Sequence, residues 1–288
     1  YMKGLRIILS LSLIASVIVN QGCSNDSEAK VLKFNLEKGK GYRYTMNTKM
    51  NQEMGGQKMA TEMKFDYRFE VVNDSADVKT VKATYDRLAM NMSLPNGDVN
   101  VDTDQPVADS ITGENPAAMM QGMFGAMKGK SFTLKVDAEG NILSVEGITE
   151  MAEAMVSSMK VDESLKAGMR QMFVAQFNDE SMKQNFAPAF NIYPNKPVKV
   201  GDSWDKKVTL QMGGSMSFNT TYTVKKIEGD NVTVGSKSSI NIQGVTGDQT
   251  GEFVIDAKTG LMEDGSVEQK FGSPMNMTSK STIVGKPL

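Results

Sequence analysis

The sequence predicts an α+β fold, mainly antiparallel β in two related halves that form a curved sheet or half-barrel, with a Met-rich helical insert between them. Three observations carry this reading. Leu32, Phe34 and Leu36, then Tyr42, Tyr44 and Met46, then Met63, Phe65, Tyr67, Phe69 and Val71 alternate with polar residues, the period of strands with one buried face. The same grammar returns after residue 200. Between the two, methionines recur every fourth residue, as on one face of a helix.

The amino terminus reads as an address. Tyr1 precedes Met2, the ordinary start of translation, and reads as extraneous. Lys3 and Arg6 make a positive start, and Ile7 to Val19 is apolar apart from three serines. A membrane-spanning helix needs about 20 apolar residues, so this shorter run fits a signal peptide over residues 1–22. It ends in Asn20-Gln21-Gly22-Cys23, where Cys23 is the single cysteine of the chain. The arrangement resembles the lipobox of bacterial lipoproteins; Gly22 fits the pattern, whereas Asn20 and Gln21 depart from the usual Leu-Ala/Ser. The resemblance implies acylation at Cys23 and a membrane partner reached through that lipid. Residues 23–30, polar from Ser24 to Glu28, read as the tether.

Residues 31–114 form the first β unit. Gly39 and Gly41 open it, Gly55-Gly56 and Asn73-Asp74 turn it, and Val81, Ala83 and Tyr85 continue it. Residues 193–288 form the second. Val200-Gly201-Asp202-Ser203-Trp204 matches Lys38-Gly39-Lys40-Gly41-Tyr42, Gly213-Gly214 matches Gly55-Gly56, and Gly229-Asp230 matches Asn73-Asp74. Each half also has a strand that runs into Asp-Ala and turns at glycine, Asp137 to Gly140 and Asp256 to Gly260. The shared order predicts an internal duplication.

Residues 115–192 hold the Met-rich helices, with an intervening β-hairpin at 130–146. Asn115-Pro116 is an N-cap followed by Pro at the first helical position. Met119, Met123 and Met127 then share a face, closed by Gly129. Thr149 would cap a second helix with Met151, Met155 and Met159 on one face, and Asp162 a third with Leu165, Met169, Met172, Phe173 and Phe177. A short fourth begins at Asn178 and is expected to stop before Pro188.

Composition narrows the chemistry. The 288 residues contain no histidine, which removes Ser-His-Asp and Cys-His catalysis and the HExxH zinc site. One cysteine removes an internal disulfide and any multi-Cys metal site. The net charge of −2 gives no pull toward nucleic acid, and loss of Lys3 and Arg6 with the signal would make it more negative still. No cofactor is expected. Short motifs resolve into local structure. Asp98, Asn100, Asp102 and Asp104 alternate like a calcium loop but lack its glycine and its bidentate Glu, so they read as a solvated loop. Ser157-Ser-Met-Lys160 and Lys258-Thr-Gly260 resemble two motifs of penicillin-binding enzymes, but no Ser-Asp-Asn lies between them, and the second is accounted for by its hairpin. Trp204 could stack on a sugar or anchor a strand. Met119, Met123 and Met127 offer soft sulfurs to Cu(I), a weak site without histidine or thiolate.

The methionines carry the main functional expectation. Methionine is unbranched and polarizable and suits adaptable apolar surfaces. Met119, Met123, Met127, Met151, Met155, Met169 and Met172 are expected either to fill the core or to line a cavity for a lipid or other apolar small molecule. Ser75 and Ser110 lie in Asp-Ser-apolar contexts that resemble O-glycosylation acceptors of Bacteroidota.

The layout as a whole, a Cys-anchored start, Tyr or Trp after a Gly-rich approach, a Met-rich helical middle and Gly-Asp-Ser-Trp opening the second half, resembles an uncharacterised family of Bacteroidota lipoproteins. The favoured half-barrel under helices is similar to periplasmic lipoprotein carriers. The expected function is a non-enzymatic, membrane-anchored lipoprotein of the bacterial cell envelope, at the periplasmic or surface face of the outer membrane. Alternatives are an assembly module that binds another envelope protein and a carboxylate-based hydrolase.

Overall fold

The computed structural model describes residues 28–288 apart from residues 55, 76, 95–96, 107–115, 159–161, 177, 191, 195, 212–214 and 243. Cys23, Ser110 and Met159 lie outside the described residues. The N-terminal half contains β1 (Lys30–Val31), β2 (Gly41–Met54), β3 (Gln57–Ser75), β4 (Val78–Leu94) and β5 (Gly97–Asp102). The middle contains α1 (Pro116–Gly125), β6 (Ser131–Asp137), β7 (Ile142–Glu146), α2 (Ile148–Ser158), α3 (Glu163–Gln176) and α4 (Asp179–Phe190). The C-terminal half contains β8 (Pro197–Val198), β9 (Ser203–Gln211), β10 (Ser215–Glu228), β11 (Asn231–Ile242), β12 (Val245–Asp256), β13 (Met262–Phe271) and β14 (Met277–Pro287). The predicted class holds: the chain is mostly antiparallel strand in one large, curved, open sheet with a few short helices.

The sheet runs β7-β6-β4-β3-β2-β14-β13-β12-β11-β10-β9, with β5 beside the far end of β4 and β1 pairing β8 separately. Its order displays the duplication. The sequence matches align β2, β3, β4, β6 and β7 with β9, β10, β11, β12 and β13, and both sets have the same spatial order. The backbone hydrogen bonds repeat too. Gly39 N donates to Val71 O and Val71 N to Lys40 O; Gly201 N donates to Val224 O and Val224 N to Asp202 O. A bulge falls just after Val71 in one half and just after Val224 in the other. Gly39 and Gly201 have φ of 80° and 92°, the left-handed region that glycine enters without steric cost. β14 joins the halves by pairing β2 on one side and β13 on the other.

Leu32, Phe34 and Leu36 alternate as expected of a strand, yet the ladder ends at Val31. Their segment instead threads between the two Asp-Ala turns, Phe34 N donating to Ala138 O and Asn35 N to Thr259 O. One-sided burial at 2–3% exposure gives period two without strand pairing. The helix starts are partly as expected. Asp162 Oδ1 accepts from Leu165 N and Asn178 Oδ1 from Ser181 N, both at 2.9 Å. The α2 amino terminus is capped not by Thr149 but by Asp179, which accepts from Ile148 N at 2.9 Å. α4 continues through Pro188 to Phe190.

The main core joins the N-terminal segment to both halves and to the helices: Phe34, Tyr44, Val71, Val81, Leu134, Ile148, Met151, Phe190, Tyr193, Val224, Val234 and Ile255 belong to it. α4 packs on β7 and β9, the two ends of the sheet, so it spans the open gap. Phe186 stacks on Phe132 with centroids 5.3 Å apart, and Phe190 meets Phe34 and Phe69 edge-on. A second cluster, Leu88, Met90 and Val101 with Met120 and Phe124, seats α1 on β5.

Candidate ligand-binding face

Side chains of a strand alternate between faces, and residues directly paired across an antiparallel ladder share one. Registers therefore identify the inner face, the one that carries the core. Near the Asp-Ala turns it is aromatic. Tyr42 and Tyr44 of β2 pair Phe69 and Tyr67 of β3, and Tyr44 and Tyr67 stack at 5.5 Å. In the second half Trp204 pairs Tyr222. Their rings stack at 5.5 Å, and the indole donates to Ile192 O at 2.8 Å. Burial raises the phenol pKa of Tyr67, Tyr85 and Tyr222 to about 12. Inner-face glycines lie under neighbouring rings: side chains at Gly247, Gly265 and Gly285 would run into Phe271, Phe253 and Tyr44.

Farther along the strands the inner face combines buried Leu88, Met90, Leu210, Ile240 and Phe271, the polar Thr48, Thr61 and Ser281, and a set of half-buried apolar side chains. Met46 and Met50 of β2, Met63 and Phe65 of β3 and Met92 of β4 line it in the first half. Val208, Met216, Phe218, Ile242, Val245 and Met277 line it in the second. The opposite face is charged and exposed, with Lys49, Asp248, Glu268, Lys270 and Lys280 around a shallow groove of about 450 Å³. These strand methionines are the residues that a helical reading of methionine overlooks. Their signal was present as period two: Met46 and Met50, Met59 and Met63, Met90 and Met92 fall at even spacings.

The helical methionines are dispersed. Met151 and Met155 are packed at 7% exposure each. Met127 is half-buried against the main core, and Met123 is half-buried on α1. Met169 lines a surface hollow of about 440 Å³ with Asp162, Ser164, Leu165 and Gly168. Met119 and Met172 lie on α1 and α3, their side chains outside the described set.

Between the aromatic and apolar zones of the second half runs a polar row. Lys206, Thr220, Ser238, Gln249, Gln269 and Ser279 are consecutive register partners across six strands, a width of about 24 Å. Ser279 Oγ donates to Gln269 Oε1 at 3.1 Å, Gln269 Nε2 to Gln249 Oε1 at 2.8 Å, and Gln249 Nε2 to Ser238 Oγ at 3.4 Å. Ser238 and Thr220 share a 2.7 Å bond and are buried. Burial lowers the Lys206 pKa. Beside the row, Ser236 is 4% exposed and its buried hydroxyl has no hydrogen-bond partner among the described residues.

The other candidate motifs take structural parts. Asp98, Asn100 and Asp102 lie in β5 rather than in a loop, and Asp102 pairs Arg87 at 2.7 Å. Among the described residues no three acids, cysteines or histidines are placed to hold a metal ion. Among the described residues the carboxyls with displaced pKa values move down: hydrogen bonding to Arg87 lowers Asp102, and hydrogen bonding to Lys258 lowers Asp230. A general acid needs the opposite shift. Thr259 of Lys258-Thr259-Gly260 donates to Asp256 at 2.9 Å within the turn. Ser75 closes β3, its hydroxyl 3.4 Å from Val78 O. No helix among the described residues is long and apolar enough to cross a membrane.

Among solved structures, the chain is similar to lipovitellin, described for its lipid–protein interactions. The match has 9% identity and a TM-score of 0.49 and covers 88% of this chain and 26% of that one; the chain thus spans about a quarter of lipovitellin's length. It is also similar to a protein with a YmcC-like fold from Bacteroides fragilis (10% identity, TM-score 0.32, 89% of this chain and 99% of that one). A third is the hypothetical lipoprotein YmcC from Escherichia coli K12 (10% identity, TM-score 0.23, 84% and 83%). No curated protein matches the chain. Residues 76–262, from β4 through the helices to the start of β13, match the Family of unknown function (DUF6263), and the chain belongs to that family.

Proposed function

We propose that the chain is a non-enzymatic, membrane-anchored lipoprotein of the cell envelope that holds the acyl chain of a lipid along the inner face of its sheet. Cys23 would carry the anchor once residues 1–22 are removed, and residues 23–30 would tether the sheet to the membrane. The observation that carries the reading is the apolar inner face beyond the helix-packed core. Met46, Met50, Met63, Met216, Phe218 and Met277 are half-buried there. Apolar surface gains about 25 cal/mol per Å² when water is removed from it. Methionine side chains adapt to irregular hydrocarbon, which suits a ligand recognised by bulk rather than by fixed contacts.

Native mass spectrometry of the full chain purified from its own envelope, with lipid extraction of the same sample, tests this reading. A co-purifying lipid in near-stoichiometric amount supports it. A chain that carries no lipid contradicts it, and a protein partner in the lipid's place would favour an assembly module.

A further inference from the structure

The two halves differ where their repeat would make them alike. With Tyr42 aligned to Trp204, Val71 to Val224 and Val81 to Val234, the positions of Tyr44, Tyr67 and Tyr85 are taken by Lys206, Thr220 and Ser238 in the second half. One half fills this level of its inner face with buried phenols; the other places there an ammonium and two hydroxyls. The substitution is not isolated, because Gln249, Gln269 and Ser279 extend it across the sheet.

The hydrogen bonds in this row have a direction. Donors run from Ser279 through Gln269 and Gln249 to Ser238. Ser238 and Thr220 share the next bond at 2.7 Å, and Lys206 is the register partner of Thr220 on β9. Donors aligned in a chain polarise one another. The directed donors point toward β9, where the row ends at a cation. The unpartnered buried hydroxyl of Ser236 lies on the same face one position along, register-paired with Tyr222. Apolar side chains flank the row: Val208 and Phe218 on one side, Trp204 and Tyr222 on the other.

We infer that the second half of the inner face recognises an acidic amphiphile, with its single anionic head, carboxylate or phosphate, at Lys206 and Thr220 and its chain along the apolar side chains beyond. This rests on the lipid-binding reading and adds the polarity and position of the headgroup.

Trp204 provides the test, since it is the single tryptophan and lies two residues before Lys206 on the same face, about 7 Å away along the strand. Quenching of its fluorescence by dibromostearate is compared with quenching by dibromostearyl alcohol, each below its micellar concentration, in the full chain and in Lys206→Met. The expected result is half-saturation at least tenfold lower for the carboxylate. Lys206→Met is expected to abolish this preference while binding of the alcohol stays within twofold, which also shows that the variant is folded. Equal quenching by both probes, or a preference that survives Lys206→Met, overturns the headgroup assignment and leaves the apolar face standing. Failure of both probes to quench overturns both. Gln249→Leu with Gln269→Leu provides a second variant, expected to reduce the preference by interrupting the donor chain; an unchanged preference there contradicts the role given to the row.

Discussion

The Tyr193 hydroxyl donates a 2.8 Å hydrogen bond to the carbonyl oxygen of Gly260, 67 residues away. The same ring lies against Gly140, so closely that a β-carbon there would strike it and the Phe190 carbonyl oxygen. Gly140 and Gly260 are the equivalent glycines of the two Asp-Ala turns, and Tyr193, just after α4, ties them together. Tyr193→Phe leaves a buried carbonyl without its donor and is expected to cost about 1–3 kcal/mol in urea denaturation. Gly140→Ala adds a collision to a φ of 82° and is expected to cost about 3 kcal/mol or more. Equal midpoints for wild type and both variants would show that the turns are held by other contacts.

Beside the apolar contact of Met120 and Phe124, one polar side chain ties α1 to β5. Gln121 accepts from Asp102 N at 2.8 Å and donates to Asp102 O and Gln105 O at 2.6 and 3.1 Å. It is 9% exposed. Gln121→Leu keeps the volume and strands these backbone groups, a loss of about 1–3 kcal/mol. Hydrogen exchange should report it locally, with faster exchange over α1 and β5 and no change over β10 to β13.

Stability should fall in alkali. The phenols of Tyr67, Tyr85 and Tyr222 are raised from 10 to about 12 by burial. Above pH 10 the unfolded chain loses these protons while the folded chain keeps them, so stability present below pH 10 is lost as pH approaches 12. Two pH units at one group correspond to roughly 3 kcal/mol. Urea midpoints should therefore be flat from pH 7 to 9 and drop between 10 and 12. Tyr222→Phe should flatten part of that drop.

Replacing Cys23 by Ser is expected to release the chain from membrane fractions into the soluble envelope fraction. Retention through an uncleaved N-terminal segment, detected as unprocessed mass, would remove the lipid anchor from the account.

Much of the fold was legible because period two and turn glycines are local signals. The Val71–Val81 and Val224–Val234 pairs follow from alternation, and the matching Gly39 and Gly201 turns reveal the repeat. What alternation could not tell was pairing. Leu32, Phe34 and Leu36 have the strand pattern without a strand, because burial on one side suffices to produce it. The Ile148 cap came from Asp179, which no local motif announces. The proposed face was partly legible. Helical spacing drew attention to Met151 and Met155, which are core, whereas Met46, Met50 and Met63 alternate on the strands. The polar row was not legible at all: Lys206, Thr220, Ser238, Gln249, Gln269 and Ser279 are scattered over 74 positions and meet only through register.

The most direct test of the central claim is photo-crosslinking with a diazirine-bearing fatty acid, with adducts mapped by tandem mass spectrometry. Adducts at inner-face positions such as Met50, Met63, Met216, Phe218 and Ile242 are the predicted result. Adducts confined to the α3 hollow at Leu165 and Met169, or to outer-face positions such as Thr250 and Lys270, would contradict it.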